Sequence, residues 1–272
     1  MEARRILLSD PERSANLFRL DGKVAVVTGA GSGIGKAIAR LFVASGAEVW
    51  ILDLDGEAAQ RAASQITETG GTATALRCDV ANETEVREVF QNLLQAKPVN
   101  ILVNNAGVSH IGNLESTTSV DFTRIFAVNV KGIFHCMQAA LPAMKGNGGV
   151  ILNMASIAGS AGLADRFAYS MSKGAVRAMT LSVAKDYLKY KIRCNCISPA
   201  RVHTPFVDGY LQEYYPNRKE EMFRALSASQ PIGRMAQPVE VAFLALFLCS
   251  DQAAFLTGVD YPLDGGFFNL RD

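Results

Sequence analysis

Apolar and polar positions along the chain alternate between two patterns. Seven short apolar runs, typical of buried strands, occur in KVAVV, AEVWILDLD, TATALRCDV, VNILVNNAG, GGVILNMAS, IRCNCISPA and FLTGVDYPLDGG. The segments between them repeat apolar residues at helical spacing, and helices that separate strands imply parallel pairing with right-handed crossovers. The pattern therefore predicts an α/β protein with a doubly wound parallel sheet of about seven strands and helices on both faces.

One connection is too long for that regular alternation. After the sixth strand, residues 201 to about 235 contain three prolines and two probable short helices before PVEVAFLALFLCS resumes helical periodicity. A connection of this length inside a compact domain is usually a lid or a binding loop. We predict a dinucleotide-binding catalytic domain over residues 21–272 with a substrate lid at about residues 200–235. An N-terminal extension, residues 1–20, is either an arm against a neighbouring subunit or a frayed terminus.

Composition narrows the class of protein. With 272 residues, 49% of them hydrophobic, the chain can bury a sizeable core, and its net charge of +1 gives no electrostatic case for a nucleic acid or an acidic membrane surface. The first twenty residues are charged throughout, so we expect neither a secretory signal nor a membrane span, and a cytoplasmic location. The five cysteines lie mostly in apolar runs, which predicts reduced core thiols, and we expect no metal.

The first strand leads through a glycine-rich turn, TGAGSGIG, into an amphipathic helix beginning near Ile34. Glycine lets the backbone approach a pyrophosphate, and the start of a helix offers amide donors to phosphates. The glycines of the turn are Gly29, Gly31, Gly33 and Gly35. Strand, turn and helix in this order form the fingerprint of a dinucleotide site, so the predicted sheet is Rossmann-like and single-domain.

The ends of the next three strands carry further candidates. Asp53 ends the second strand, where a carboxylate can bind both adenosine ribose hydroxyls and would repel a 2′-phosphate, which favours NAD over NADP. Asp55 is better placed to cap the following helix. Asp79 and Val80 end the third strand, where an adenine ring can lie. The fourth strand closes on a small turn whose asparagines can tie neighbouring strands together; its residues are Asn104, Asn105, Ala106 and Gly107.

A possible catalytic group lies between residues 156 and 173. Tyr169 and Lys173 are four residues apart in a helical segment, so both side chains project from one face. A neighbouring ammonium favours the phenolate and lowers the pKa of a tyrosine. Ser156 follows the fifth strand, at the sheet edge where such folds bind ligands, and its hydroxyl can hold a substrate oxygen.

The long, mostly apolar segment DFTRIFAVNVKGIFHCMQAALPAMK predicts one continuous helix, and it contains Asn129 and His135. A buried asparagine needs hydrogen-bond partners, so Asn129 either bonds local backbone or holds a water near the lysine. His135 is interpreted as a core histidine with a satisfied ring nitrogen.

With these residues in place, the chain resembles the classical short-chain dehydrogenase/reductase family from about residue 20 to 268. The resemblance rests on TGAGSGIG, NNAG at 104–107, Asn129, Ser156, YSMSK at 169–173 and LTGVDYPLDGG, in the family's order and spacing. It implies a catalytic set of Asn129, Ser156, Tyr169 and Lys173. Tyr169 would be the general base in alcohol oxidation, Ser156 would bind the substrate oxygen, Lys173 would hold the nicotinamide ribose, and Asn129 would position a water.

The resemblance also implies which residues contact an NAD cofactor. That set is Gly29, Ser32, Gly33, Ile34, Gly35, Asp53, Asp79, Val80, Asn105, Ala106, Gly107, Tyr169, Lys173, Pro199, Ala200, Val202 and Thr204. Ser32 stands where NADP-preferring members often have a basic residue, in agreement with Asp53. Two departures from the family pattern are Ala200, where a glycine is usual, and Ala155, where a second serine is common; neither removes a catalytic group.

The substrate is the least defined part of the prediction. Candidate pocket residues are Ser109, His110, Ser156, Arg166, Tyr169, Arg201 and His203. Their arginines and histidines would suit a carboxylate or a polyhydroxylated molecule, and we favour oxidation of a sugar, a polyol or a hydroxylated sugar acid. The alternative that Arg166 and Arg201 make surface or subunit contacts stays open.

The sequence is also compatible with two other functions, and the family resemblance has an implication for the assembly. Reduction of a 3-oxoacyl thioester is the alternative reaction, and a non-catalytic nucleotide-sensing protein on the same fold is a remote one. The resemblance also implies a homotetramer, with the long helices around Asn129 and Tyr169 at one interface and the last strand at the other.

Overall fold

The computed structural model describes residues 17–270. Most of the predicted N-terminal extension, residues 1–16, therefore lies outside the described residues. Leu20, the last residue of that predicted extension, is fully buried, and its N–H donates to the carbonyl of Ser45 at 2.8 Å. The hydrophobic core thus begins at or before Leu20.

Seven strands of the described chain form one parallel sheet. They are β1 Val24–Thr28, β2 Glu48–Asp53, β3 Thr72–Arg77, β4 Ile101–Asn104, β5 Gly149–Met154, β6 Ile192–Pro199 and β7 Asp260–Leu263. Their spatial order is β3-β2-β1-β4-β5-β6-β7, and every pair is parallel. The predicted Rossmann-like sheet is confirmed, and its strand order reverses between β1 and β4, which is where ligands bind in such sheets.

Nine α-helices connect these strands within residues 17–270. They are α1 Gly33–Ala44, α2 Gly56–Thr67, α3 Glu83–Ala96, α4 Ser119–Phe126, α5 Gly132–Asn147, α6 Phe167–Asp186, α7 Pro205–Tyr214, α8 Lys219–Ala228 and α9 Pro238–Cys249. The two short helices predicted between residues 201 and 235 are α7 and α8. Asp55 caps α2 by accepting from the N–H of Ala58 at 3.0 Å, so its predicted role as a cap is confirmed.

The long helix predicted over residues 121–145 is not uniform. A π-helical turn, Ala127–Lys131, separates α4 from α5 and contains Asn129. A π-turn shifts the residues beyond it relative to an ideal α-helix, and such turns often occur at functional sites. The apolar periodicity predicted the helix but could not reveal this local change of winding.

Two hydrophobic clusters cover the two faces of the sheet. One contains Ile38 and Phe42 of α1 with residues of α2 and α9, and the other contains Phe90 of α3 with residues of α5 and α6. The five cysteines are free and buried, as predicted, and His135 is a buried core histidine whose Nδ1 lies 3.0 Å from the carbonyl oxygen of Val80. Among the described helices none is both long enough and apolar enough to span a bilayer.

Candidate active site

Two turns meet at the carboxyl ends of β1 and β4. The hydroxyl of Thr28 accepts hydrogen bonds from the N–H groups of Asn105 at 3.1 Å and Ala106 at 3.0 Å. The side-chain amide of Asn105 donates in return to the carbonyls of Thr28 and Gly29, at 3.0 and 2.9 Å. Asn104 donates to Asn153 of β5 at 2.8 Å. The asparagines therefore tie neighbouring strands together, as predicted, and Thr28 is a partner that the sequence did not reveal.

The glycine-rich turn is shaped by close backbone approach. Gly29 has a φ of 62°, and a Cβ at this residue would lie 2.7 Å from the Cα of Ala106. Gly33, with a φ of 52°, begins α1 and faces the side chain of Thr204. Ser32 precedes α1 without a side-chain cap bond, so its hydroxyl does not accept from the first-turn amides of α1. These features fit a phosphate-bearing cofactor at the helix start.

Asp53 faces the same turn from the end of β2. One carboxylate oxygen accepts from the N–H of Gly31 at 2.8 Å, and the other accepts from the N–H of Asp55 at 3.0 Å. A Cβ at Gly31 would lie 2.9 Å from the carboxylate, so only glycine leaves room there. The side chain is partly exposed. A fixed carboxylate beside the phosphate-binding turn fits the ribose end of a dinucleotide.

Tyr169, Lys173 and Ser156 meet near the carboxyl end of β5. The ammonium of Lys173 lies 5.7 Å from the centre of the Tyr169 ring and donates to the carbonyl of Met154 at 2.7 Å. Lys173 is only 4% exposed, and burial lowers its pKa to about 8. Ser156 is also buried; its hydroxyl accepts from the N–H of Ala158 at 3.2 Å and donates to the carbonyl of Pro199 at 3.5 Å.

The pKa of Tyr169 differs from the expectation based on Lys173 alone. Burial raises this pKa above its ordinary value, while the hydrogen bond with Ser156 and the charge of Arg166 act in the opposite direction without overcoming it. Desolvation therefore outweighs the favourable groups. The nearby ammonium is at the same time held by the Met154 carbonyl.

Asn129 uses its whole side chain for protein contacts. Its oxygen accepts from the N–H of Val108 at 2.8 Å, and its amide donates to the Val108 carbonyl at 2.9 Å and to the hydroxyl of Ser172 at 3.0 Å. Ser172 donates in turn to the carbonyl of Tyr169 at 2.7 Å. Of the two predicted alternatives, the structure has the backbone contact, although to the chain after β4 rather than to its own helix. A Cβ on Gly107 would lie 3.3 Å from the Asn129 oxygen.

Ser172 was missed by the sequence analysis. Its position three residues after Tyr169, on the same helical face, is a signal that could have identified it. It is fully buried and connects the Asn129 amide to the first turns of α6.

The remaining predicted cofactor residues lie at the ends of neighbouring strands. Ala200 follows β6, and its N–H donates to the carbonyl of Leu263 at 3.0 Å. Val202 is buried and pairs with Ala236, which fixes the start of the segment that carries Thr204. The carboxylate of Asp79 accepts from the N–H of Ala81 at 2.9 Å. Val80 is 7% exposed, so most of its surface is in the core, and its carbonyl oxygen lies 3.0 Å from the Nδ1 of His135.

The two candidate histidines are engaged within their own segments. His110 is largely buried, with one ring nitrogen 3.3 Å from the Thr117 hydroxyl and the other 3.7 Å from a carboxylate oxygen of Asp121. His203 lies 2.8 Å from the carboxylate of Asp208, and its ring packs edge-on against Phe223 at 5.0 Å. The structure therefore does not leave either imidazole without a partner of its own.

The two candidate arginines are brought together. Arg166 is the residue just before α6, and Arg201 follows β6; burial is the main cause that lowers the pKa of Arg201, and the charge of Arg166 is the next. The Nε of Arg201 donates to the hydroxyl of Ser229 at 3.1 Å, and Arg166 donates to the carbonyl of Asp165 at 3.0 Å. Ser109, the remaining candidate, is partly exposed in the loop after β4.

A separate cavity of about 420 Å³ lies between α7 and α8. It is lined by Asp208, Leu211, Lys219, Glu220, Phe223 and Arg224. No member of the predicted catalytic set lines it.

Comparisons with known proteins agree with this geometry. A family model described as enoyl-(acyl carrier protein) reductase matches residues 29–268. The chain is 38% identical over 250 residues to the uncharacterized oxidoreductase YxbG of Bacillus subtilis, with 91% of this chain and 92% of that protein covered. It is 39% identical over 251 residues to L-fucose dehydrogenase of Oryctolagus cuniculus, with 91% and 86% covered.

A solved structure extends the likeness to three dimensions. It comes from Beutenbergia cavernae, is described as a candidate NAD(P)-dependent gluconate 5-dehydrogenase, and holds NADP at low occupancy. The TM-score is 0.86 at 30% identity, and the match covers 93% of this chain and 99% of that one. Sequence and structure therefore agree on an oxidoreductase that acts on a CH–OH group and binds a nicotinamide cofactor.

Proposed function

The chain belongs to the classical short-chain dehydrogenase/reductase family, and from this premise we propose an NAD-dependent dehydrogenase that interconverts a secondary alcohol and a ketone. We propose a sugar, a polyol or a hydroxylated sugar acid as the alcohol. The observation that carries the proposal is the meeting of Ser156, Tyr169 and Lys173 beside a glycine-rich turn that faces Asp53. Acid–base groups next to a dinucleotide site are what alcohol oxidation requires.

Tyr169 is the proposed proton acceptor. In oxidation its phenolate oxygen takes the hydroxyl proton of the alcohol, and in reduction its hydroxyl returns the proton to the carbonyl oxygen. Ser156, which shares a hydrogen bond with the Tyr169 hydroxyl, holds the same substrate oxygen. Lys173 keeps a positive charge near the ring and favours the phenolate.

The cofactor would lie across the switch between β1 and β4. The turn at residues 29–35 and the start of α1 would hold its phosphates, Asp53 its adenosine ribose, and Asn105, Ala106 and Gly107 its middle portion. When bound, the nicotinamide supplies hydride transfer. Because the Asp53 carboxylate would repel a 2′-phosphate, we propose NAD rather than NADP, although the Beutenbergia structure holds NADP.

The proposal is tested by following NADH formation over a panel of sugars, sugar acids, polyols and simple secondary alcohols, repeated with NADP⁺. Turnover of a polyhydroxylated class with NAD⁺ is expected. Tyr169→Phe should then lower kcat by about 10²- to 10⁴-fold, the usual contribution of a general acid–base group. Tyr187→Phe, at the far end of α6, is the matched control. Unchanged turnover in Tyr169→Phe would refute Tyr169 as the proton acceptor, whereas cofactor binding without turnover of any compound would favour the non-catalytic, nucleotide-sensing alternative.

Reduction of a 3-oxoacyl thioester is the second candidate. The description of the matching family model favours it, since that description names an acyl carrier protein substrate. A silent alcohol panel, combined with oxidation of NADPH by a 3-oxoacyl thioester, would replace the first proposal with this one.

We further propose a cytoplasmic homotetramer. Four phenylalanines on α4, α5 and α6 are more than one third exposed: Phe122, Phe126, Phe134 and Phe167. Near β7, Phe255 is fully exposed and Val259 is 37% exposed. Apolar surface of this kind often marks an interface between subunits. Sedimentation at micromolar concentration tests the assembly, and a monomer there would contradict it.

A further inference from the structure

Two arginines without an acidic partner among the described residues lie beside the proposed active site. We propose that the substrate carries a carboxylate and that Arg166 and Arg201 bind it. This inference rests on the proposed function and narrows its substrate class to hydroxy acids.

The backbone on both sides of this group is fixed. The N–H of Gly112 donates to the carbonyl of Asp165, and the N–H of Phe167 donates to the carbonyl of Gly112, each at 3.0 Å, so the chain around Arg166 is held from both sides. Arg166 also lies three residues before Tyr169, and its charge reaches the tyrosine hydroxyl. Arg166 therefore lies at the same end of α6 as the proposed proton acceptor.

Arg201 approaches from the other side of the site. Its carbonyl accepts from the N–H of Ala236 at 2.9 Å, and its side chain is steadied by the hydroxyl of Ser229. Arg201 nevertheless remains exposed, and Arg166 is partly exposed, so both guanidinium groups are accessible to a ligand. Arg166 immediately precedes α6, and Arg201 follows β6 in the predicted lid.

Their charges are not neutralised by the protein. Neither Arg166 nor Arg201 forms an ion pair with an acidic residue of the described chain; the Arg166 side chain donates to the carbonyl of Asp165 and the Arg201 side chain to the hydroxyl of Ser229. Other arginines of the same region are paired: Arg218 with Glu221, Arg224 with Glu220 and Arg234 with Glu240. Two like charges near each other are unfavourable, and an anion between them would relieve the repulsion.

A carboxylate suits this group better than a phosphate. Planar guanidinium groups bind carboxylates through two parallel hydrogen bonds, and protein phosphate sites usually add backbone amides from a helix start or a glycine-rich turn. Here the N–H groups of Arg201 and His203 already donate to Gln230 and Ala236. The Beutenbergia protein, described as acting on gluconate, is consistent with a hydroxy acid.

The test compares gluconate with glucitol, a neutral polyol with the same six-carbon chain. The wild-type enzyme with NAD⁺ should prefer the acid, and Arg201→Gln should reduce the ratio of kcat/KM for gluconate to that for glucitol by about 10- to 100-fold, mainly through KM, because it removes a charge-assisted contact. Arg166→Gln should reduce the same ratio. Arg224→Gln, an exposed lid arginine with its own partner, is the matched control.

The outcomes separate this inference from the proposed function. Oxidation of glucitol with no preference for gluconate, or an equal loss for both substrates in Arg201→Gln, would overturn the carboxylate site and leave the dehydrogenase standing. If neither compound is oxidised, calorimetric binding of gluconate to the enzyme–NADH complex decides the site independently: binding weakened by Arg201→Gln supports it, and no binding overturns it. Preference for a sugar phosphate would also overturn it.

Discussion

Replacing Asp53 by asparagine separates the two roles assigned to its carboxylate. Asparagine can still accept the hydrogen bond from the N–H of Gly31, which spans 2.8 Å in the structure, so the glycine-rich turn should keep this contact. Its NH2 group cannot accept the second bond, from the N–H of Asp55, so that bond is lost. The negative charge is lost, and with it the repulsion of a 2′-phosphate. The change therefore tests whether charge, rather than turn geometry, sets the choice of cofactor.

The size of the effect follows from the position of the carboxylate. Two unit charges about 4 Å apart interact by about 4 kcal/mol at an effective dielectric constant of 20. Asp53 is partly exposed, so screening by salt reduces this repulsion energy, and we take about half of it. Removing that energy should raise the affinity for NADP⁺ by roughly 30-fold. Loss of the charge-assisted bonds to the ribose should weaken NAD⁺ by about 10-fold. Together the preference should shift by about 10²- to 10³-fold.

The assay is kcat/KM for both cofactors at saturating alcohol, in wild type and Asp53→Asn, at two salt concentrations. Asp55→Asn is the matched control, since asparagine also caps helices well and Asp55 bonds Ala58 rather than the turn. Its cofactor preference should equal that of the wild type. A wild-type preference for NADP⁺, or an Asp53→Asn enzyme with an unchanged ratio, would refute the reasoning.

Two further predictions concern the catalytic helix. Ser172→Ala removes the buried hydroxyl that accepts from the Asn129 amide, and it should lower the free energy of unfolding by about 1–3 kcal/mol. Urea denaturation measures this loss. Ser182→Ala, on the exposed side of α6, should have little effect. Because the base form of Tyr169 is required and burial raises the pKa of this residue, kcat for alcohol oxidation should rise with pH up to about 8, where Lys173 begins to lose the charge that favours the phenolate, and kcat for reduction should fall over the same range. The test is to measure kcat for oxidation and for reduction over a series of pH values. An oxidation kcat that stays flat or falls with pH would contradict the prediction.

The sequence was sufficient for features that depend on local chemistry. The seven strands follow from short apolar runs, and Asp53 and Asp55 can be told apart because only Asp55 precedes a helix at capping distance. The tie between Asn105 and the first turn was also predictable, since both lie at carboxyl ends of strands that are adjacent in a doubly wound sheet. In the first two cases the neighbouring residues in the chain determine the outcome, and in the third the strand order of the doubly wound sheet does.

Features that depend on the approach of distant segments were not predictable. The partner of Lys173 is the carbonyl of Met154, nineteen residues away in sequence, and its distance depends on how closely α6 packs against β5. The contact of Asn129 with Val108 depends on the π-turn, which apolar spacing does not reveal. The same limit applies to the pKa of Tyr169, because spacing identifies the nearby lysine but not the extent of burial.

The residues proposed for the reaction and the residues proposed for the substrate lie on different parts of the fold. The groups proposed for the reaction are held by the sheet and its buried helices, and hydrogen bonds to backbone leave them little freedom to move. Candidate substrate groups lie on the segment after β6, where His203 pairs with its neighbour Asp208 and Arg201 has no acidic partner. A lid can therefore change its charges without disturbing the proton-transfer groups beneath it. This is why relatives with the same reaction can differ in substrate, and why the unpaired Arg201 is a stronger guide to the substrate than the fold is.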